Sequence, residues 1–177
     1  MRKLKNILVA SFLTVGAFTS MMMVSCNPDP CRDVVCNNGV CDDVTGSCKC
    51  DAGYEGSDCS TRTKKKFLGS YKGNGSDDQG GTYTNWKLVI GETDTTNISA
   101  ATFTIYNATD VQQMSFTGNI SSTGIITLDN KTTTNFIYTN GLGSVIAGSS
   151  ASITFKEADN PGGTNPYVYS FTNMAKQ

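Results

Sequence analysis

The chain has 177 residues, 14 basic and 15 acidic, giving a net charge of -1, with no histidine and seven cysteines. The missing histidine excludes His-based triads, histidine proton shuttles and His-ligated metals. The balanced charge offers no broad positive field for nucleic acid.

Taken in chain order, Arg2, Lys3 and Lys5 precede an apolar stretch from Ile7 to Val24 that contains no acid. This is the layout of a secretory signal peptide. Ser11, Thr14, Thr19 and Ser20 make it a poor permanent membrane span. Its end, Met23-Val24-Ser25-Cys26, resembles the bacterial lipobox, with Met where Leu is usual. The resemblance implies cleavage before Cys26, lipidation of Cys26, and a partner in the membrane itself. Two or three acyl chains, at about 0.8 kcal/mol per buried methylene, hold firmly. Residues 1–25 are read as a lipoprotein signal peptide and 26–30 as a lipidated tether. Without Arg2, Lys3 and Lys5, eleven basic residues remain against fifteen acidic.

Setting Cys26 aside leaves Cys31, Cys36, Cys41, Cys48, Cys50 and Cys59. In an exported chain such a set is a disulfide framework, and six cysteines allow fifteen pairings. Residues 31–59 are too few to bury a self-sufficient core, so crosslinks of about 2–4 kcal/mol each replace it. Zinc is disfavoured by Cys48-Lys49-Cys50, which lacks the two-residue spacer of a zinc knuckle, and by the absence of histidine. Asp42 and Asp43 supply too few oxygens for calcium. No metal or other cofactor is expected.

The spacing C-x4-C-x4-C-x6-C-x-C-x8-C, the Asn38-Gly39 turn and Gly53-Tyr54-Glu55-Gly56 resemble an epidermal-growth-factor-like repeat of the tenascin type. That resemblance implies the pairs Cys31–Cys41, Cys36–Cys48 and Cys50–Cys59.

Residues 60–66 carry Arg62, Lys64, Lys65 and Lys66 and no apolar residue. They are read as a basic, solvated interdomain linker, some of whose charge pairs with the acidic repeat before it. A run of three lysines is too short to predict nucleic-acid binding.

From residue 67 to 177 cysteine vanishes and apolar residues alternate with Thr, Ser and Asn. Phe103 and Ile105, Ile153 and Phe155, Trp86, Leu88 and Ile90, and Tyr167, Tyr169 and Phe171 follow a period of two. That period predicts half-buried strands. The expected strands span about 67–73, 82–90, 99–106, 112–120, 124–129, 134–139, 143–147, 150–157 and 165–172. Gly73-Asn74-Gly75 and Asn140-Gly141 are among the turn signals. The fold class is all-β: a small disulfide-rich module, then an antiparallel barrel or sandwich of about eight strands. Phe67-Leu68-Gly69-Ser70-Tyr71, following such a repeat and a basic linker, resembles a group of lipoproteins from Bacteroidota. That resemblance implies a lipocalin-like meander and an outer-membrane address. Asp29 and Asp33 are the only acids close after Cys26. Cell-surface exposure is the expectation.

For chemistry, thiol nucleophiles are absent after Cys59. A glycosidase-type carboxylate pair would have to come from Asp77, Asp78, Glu92, Asp94, Asp110, Asp129, Glu157 and Asp159, nearly all at predicted turns. Asp77-Asp78 reads as a polar loop rather than a cation site. Gly73-x-Gly75 lacks the helix and Lys-Ser/Thr pair of a phosphate cradle. Tyr83, Trp86, Tyr106, Tyr138, Tyr167 and Tyr169 form either core or a stacking platform. In a regular strand Tyr83 and Trp86 point to opposite faces, so at most one is expected inside. The function expected is therefore non-enzymatic: a membrane-anchored binding or adhesion module for a protein or glycan. The alternative is a lipocalin-like carrier of a small apolar ligand.

Overall fold

The structure is a computed structural model that describes residues 28–93, 96–107, 109, 113–162, 164 and 166–177. Cys26 and the segment expected to be a signal peptide lie outside the described residues. The chain divides into two compact units. The described part of the smaller unit holds residues 28–34 and 41–47, and the larger unit holds 35–40 and 48–177.

In the smaller unit Cys31 is bonded to Cys41. Asp42 organises the turn that follows, its Oδ1 accepting the Val44 and Thr45 N–H groups at 2.9 Å each. A carboxylate holding two backbone donors is an Asx turn, which accounts for Asp42 without a cation.

The larger unit takes in Gly39 and Val40 of β1 (Gly39–Cys41) and all of β2 (Cys48–Cys50), then β3 (Tyr54–Glu55) paired with β4 (Thr61–Arg62). Disulfides join Cys36 to Cys48 and Cys50 to Cys59. A 3-10 turn over Thr63–Phe67 leads into β5 (Gly69–Asp77), β6 (Thr82–Glu92), β7 (Ala100–Asn107) and β8 (Gln113–Ile120). There follow β9 (Ile125–Leu128), the short β10 (Lys131–Thr132), β11 (Phe136–Ile146), β12 (Ser150–Asp159) and β13 (Tyr167–Lys176).

Each long strand from β5 on pairs antiparallel with its neighbour, and β11 pairs with β9 as well as β12. Because β13 also pairs with β5, the sheet closes on itself as an eight-stranded up-and-down barrel. The sandwich alternative is thereby excluded. The alternating residues do what their period predicts: Leu88, Phe103, Ile105, Ile126, Ile153, Phe155 and Phe171 face inward and are buried. A small barrel is filled by side chains rather than hollow, and here the filling is mostly aromatic and β-branched.

Two turn signals lie inside strands instead. β5 runs through Gly73-Asn74-Gly75 to Asp77. A Cβ at Gly73 would strike Met174, and one at Gly75 would strike the Phe171 ring. The glycines are inward positions emptied to admit large side chains from β13. Asn140-Gly141 likewise sits within β11, which unites two expected strands.

Asn140 belongs to a pattern. On β6 the step from Tyr83 to Trp86 faces the shorter step from Gly75 to Gly73. On β11, Thr139 to Leu142 faces Lys156 to Thr154. On β13, Phe171 to Met174 faces Ile153 to Ala151. Each is a β-bulge with one extra residue. Asn85, Asn140 and Asn173 sit there in the left-handed region, with φ of 61°, 53° and 50°. All three end an aromatic-Thr-Asn triplet: Tyr83-Thr84-Asn85, Tyr138-Thr139-Asn140 and Phe171-Thr172-Asn173. The bulge puts both Tyr83 and Trp86 on the inner side, with ring centroids 5.8 Å apart. The expectation that only one of them faces inward fails because the strand is not regular.

The basic segment also departs from expectation. Thr63 and Lys64 are buried, at 5% and 2% exposure. The Lys64 ammonium donates to the carbonyls of Asn97 (2.7 Å) and Ala100 (3.1 Å) and lies 3.2 Å from Glu92. Arg62 meets the same carboxylate at 2.8 Å, and Lys66 pairs with Glu55 at 2.9 Å. Glu55 is one of the acids of the disulfide-bonded residues 31–59. Phe67 enters the core, its carbonyl accepting the Tyr71 hydroxyl at 2.7 Å. Thr63 and Lys64, with Phe67, therefore plug one end of the barrel, while Ser60, Thr61 and Lys65 stay exposed, so the segment is not a fully solvated hinge. A buried ammonium needs that density of acceptors to offset its lost hydration.

Candidate functional site

The barrel end opposite the plug is built from the end of β5, the starts of β6, β8, β11 and β13, and the end of β12. There the filling stops short. A cup of about 400 Å³ remains, lined by Tyr83, Trp86, Gln113, Met114, Phe136, Tyr138, Glu157 and Tyr169. Its inner side is continuous with the core: Trp86 lies 5.2 Å from Phe171, Tyr169 lies 5.4 Å from Phe155, and Tyr138 lies 5.4 Å from Phe116.

Most lining residues reach the cup through local pattern. Glu157 follows Ile153 and Phe155 at a spacing of two, so it points inward once the apolar series ends. Its direct cross-strand partners are Tyr138 and Tyr167. Met114 precedes Phe116, and Phe136 precedes Tyr138, by the same spacing. Tyr83 arrives through the Asn85 bulge, as described.

Polar atoms in and behind the wall are connected. Tyr83 donates its hydroxyl to Asp77 Oδ2 at 2.5 Å, and Asp77 Oδ1 accepts the Gly81 and Gln79 N–H groups at 2.8 and 2.9 Å. That hydroxyl, and then the Gly81 N–H, hold the Asp77 carboxyl below its ordinary range. Burial first, and then the bond to Asp77, push the Tyr83 phenol up to about 12. Tyr169 donates to Glu157 Oε1 at 3.3 Å. Burial, followed by the Glu157 charge, raises the Tyr138 and Tyr169 phenols above the usual tyrosine value. The phenols are thus neutral donors at physiological pH.

The residues singled out from sequence divide accordingly. Tyr83, Trp86, Tyr138 and Tyr169 are brought together in the cup. Tyr167 lies beside it, stacked on Tyr169 at 6.3 Å and 39% exposed. Tyr106 alternates with the inward Phe103 and Ile105 and does not line the cup. Asp77 and Asp78 are engaged in holding their loop, Asp78 Oδ1 accepting the Val168 N–H at 2.9 Å. Glu92 lies in the Lys64 cluster at the plugged end. Among the described residues, Glu157 is the carboxylate that lines the cup, and no group of three or more metal-ligating side chains is assembled. Asp94 and Asp110 fall outside the described residues. Gln113, Met114 and Phe136 were not legible as site residues, although alternation alone places Met114 and Phe136 inward.

The six cysteines of residues 31–59 are joined as Cys31–Cys41, Cys36–Cys48 and Cys50–Cys59. Among the described residues no helix is long and apolar enough to cross a membrane. No family model, no curated protein and no solved structure matches this chain.

Proposed function

We propose that this chain is a non-enzymatic binding module carried on a lipidated Cys26, with the cup at the barrel mouth as its receptor site. The observation that carries the proposal is the pairing of a filled barrel with one open, aromatic-lined cup of about 400 Å³. That volume suits a small molecule, or one residue of a larger ligand. The lining combines rings, a thioether, an amide and one carboxylate. Such a surface binds; a carboxylate pair of hydrolytic type would need a second acid in the same cavity.

In this reading residues 31–59 are an epidermal-growth-factor-like stalk. The chain enters the barrel at its plugged end, which leaves the cup at the far one. The address is the outer membrane of a bacterium, with the barrel displayed at the cell surface. The carrier alternative draws support from the cup's volume alone. Glu157 and Gln113 in the wall favour an amphipathic ligand over a purely apolar one.

Native mass spectrometry of protein extracted from its own membrane tests the proposal. We expect an added diacylglycerol and acyl mass at Cys26, and a retained small molecule that a Tyr138→Ala, Tyr169→Ala variant loses. An unmodified Cys26 refutes the tether. A ligand retained equally by the folded double variant refutes the cup as receptor.

A further inference from the structure

We infer that the cup is shaped for an organic cation, a compact ammonium such as a quaternary or protonated amine; this rests on the proposal that the cup is the binding site. Three observations on its walls converge.

The first is ring orientation. Tyr83 and Trp86 stand edge to face at 78°, and Tyr83 and Tyr169 are inclined at 50°. Phe136 and Tyr138 are inclined at 53°. Rings set at such angles make corners. A flat sugar or nucleobase is held best by a coplanar platform, whereas corners surround a rounded group on several sides.

The second is charge. Among the described lining residues the one ionisable acid is Glu157, and none is basic. Lys156, its neighbour on β12, is exposed on the other face of the strand. Behind the Tyr83 ring, the Asp77 carboxylate accepts the phenol hydroxyl. Donation to a carboxylate makes a phenol ring more electron-rich, and so strengthens its attraction for a cation over its face.

The third is the setting of that carboxylate. Glu157 accepts the Tyr169 hydroxyl at 3.3 Å and lies directly opposite Tyr138 and Tyr167 across the sheet. A cation entering the cup meets the negative charge and the ring faces together. The combination of ring faces and a carboxylate is the arrangement that binds ammonium groups with desolvation offset by cation–π attraction.

Trp86 is the single tryptophan of the chain and lines the cup, so its emission reports occupancy directly. The experiment titrates the full chain with choline, with tetramethylammonium and with the neutral isostere 3,3-dimethylbutan-1-ol, in wild type and Glu157→Gln. We expect both cations to change Trp86 emission saturably. The neutral isostere should bind about tenfold more weakly, and Glu157→Gln should weaken the cations by a similar factor while leaving the isostere unchanged. If Glu157→Gln fails to fold, Tyr83→Leu makes the same comparison without touching a charge, and should again weaken the cations more than the isostere. Equal binding of cation and isostere overturns the inference and leaves the cup as a receptor. Silence to every probe, with a small molecule still retained in native mass spectrometry, does the same. Silence to every probe with no retained molecule overturns both.

Discussion

The aromatic-Thr-Asn triplets make a quantitative prediction about backbone conformation. Asn85, Asn140 and Asn173 are exposed, so replacing their side chains removes little packing. What each supplies is tolerance of the left-handed region, which costs most L-residues roughly 1–2 kcal/mol and Asn less. Alanine at each position should therefore destabilise by about 1 kcal/mol. Glycine, which occupies that region freely, should stay within a few tenths of wild type. The three asparagines are exposed and lie on different strands, so the triple alanine variant should lose about 3 kcal/mol. In a chain of this length that is about 3 °C in Tm per site and about 9 °C for all three. Thermal and urea unfolding followed by far-UV circular dichroism would measure it. Alanine and glycine variants that behave alike at all three sites would refute the reasoning, since the effect would not then come from φ.

Two further predictions concern titration. The Glu92 carboxyl is held low, first by Lys64 and then by Arg62, so the unfolded chain takes up its proton at a higher pH than the folded one. The stability it contributes is present above the unfolded value near 4.5 and is lost as pH falls through the folded value; Glu92→Gln should flatten the acid limb of Tm against pH, which a pH series of melts checks. At the other extreme, the Tyr83, Tyr138 and Tyr169 phenols are raised by burial, so the folded state holds protons that the unfolded state releases near pH 10. Stability should fall as pH rises past 10, and phenolate absorbance of the native protein should lag a denatured control, with Tyr83 ionising near 12.

Period-two alternation was readable because the barrel buries one face of every strand, and burial selects large apolar residues at every second position. Chemistry with two structural uses was not. Gly73-Asn74-Gly75 satisfies a turn equally well as it relieves crowding against Phe171 and Met174, and only the opposing strand decides between them. Asn140-Gly141 serves a bulge as readily as a hairpin. The recurrence of an aromatic and a threonine before each left-handed asparagine was a signal present in the sequence. Lys64 read as solvated because its acceptors, Glu92, Asn97 and Ala100, lie about thirty residues downstream. Glu157, at the end of an expected strand, could not be told from the other acids for the same reason: the rings that surround it come from β6, β11 and β13.

The pairing of β13 with β5 sets Lys176 beside Tyr71, so the first and last strands of the cylinder enter and leave on the same side. The cup lies at the other end, where β5 and β12 finish and β6, β8, β11 and β13 begin. The connections there should accept changes in length and composition without disturbing the stopper beneath, which leaves the scaffold with a fixed base and an adaptable lip. A reporter fused after Lys176 would sit at the base and leave the lip unobstructed.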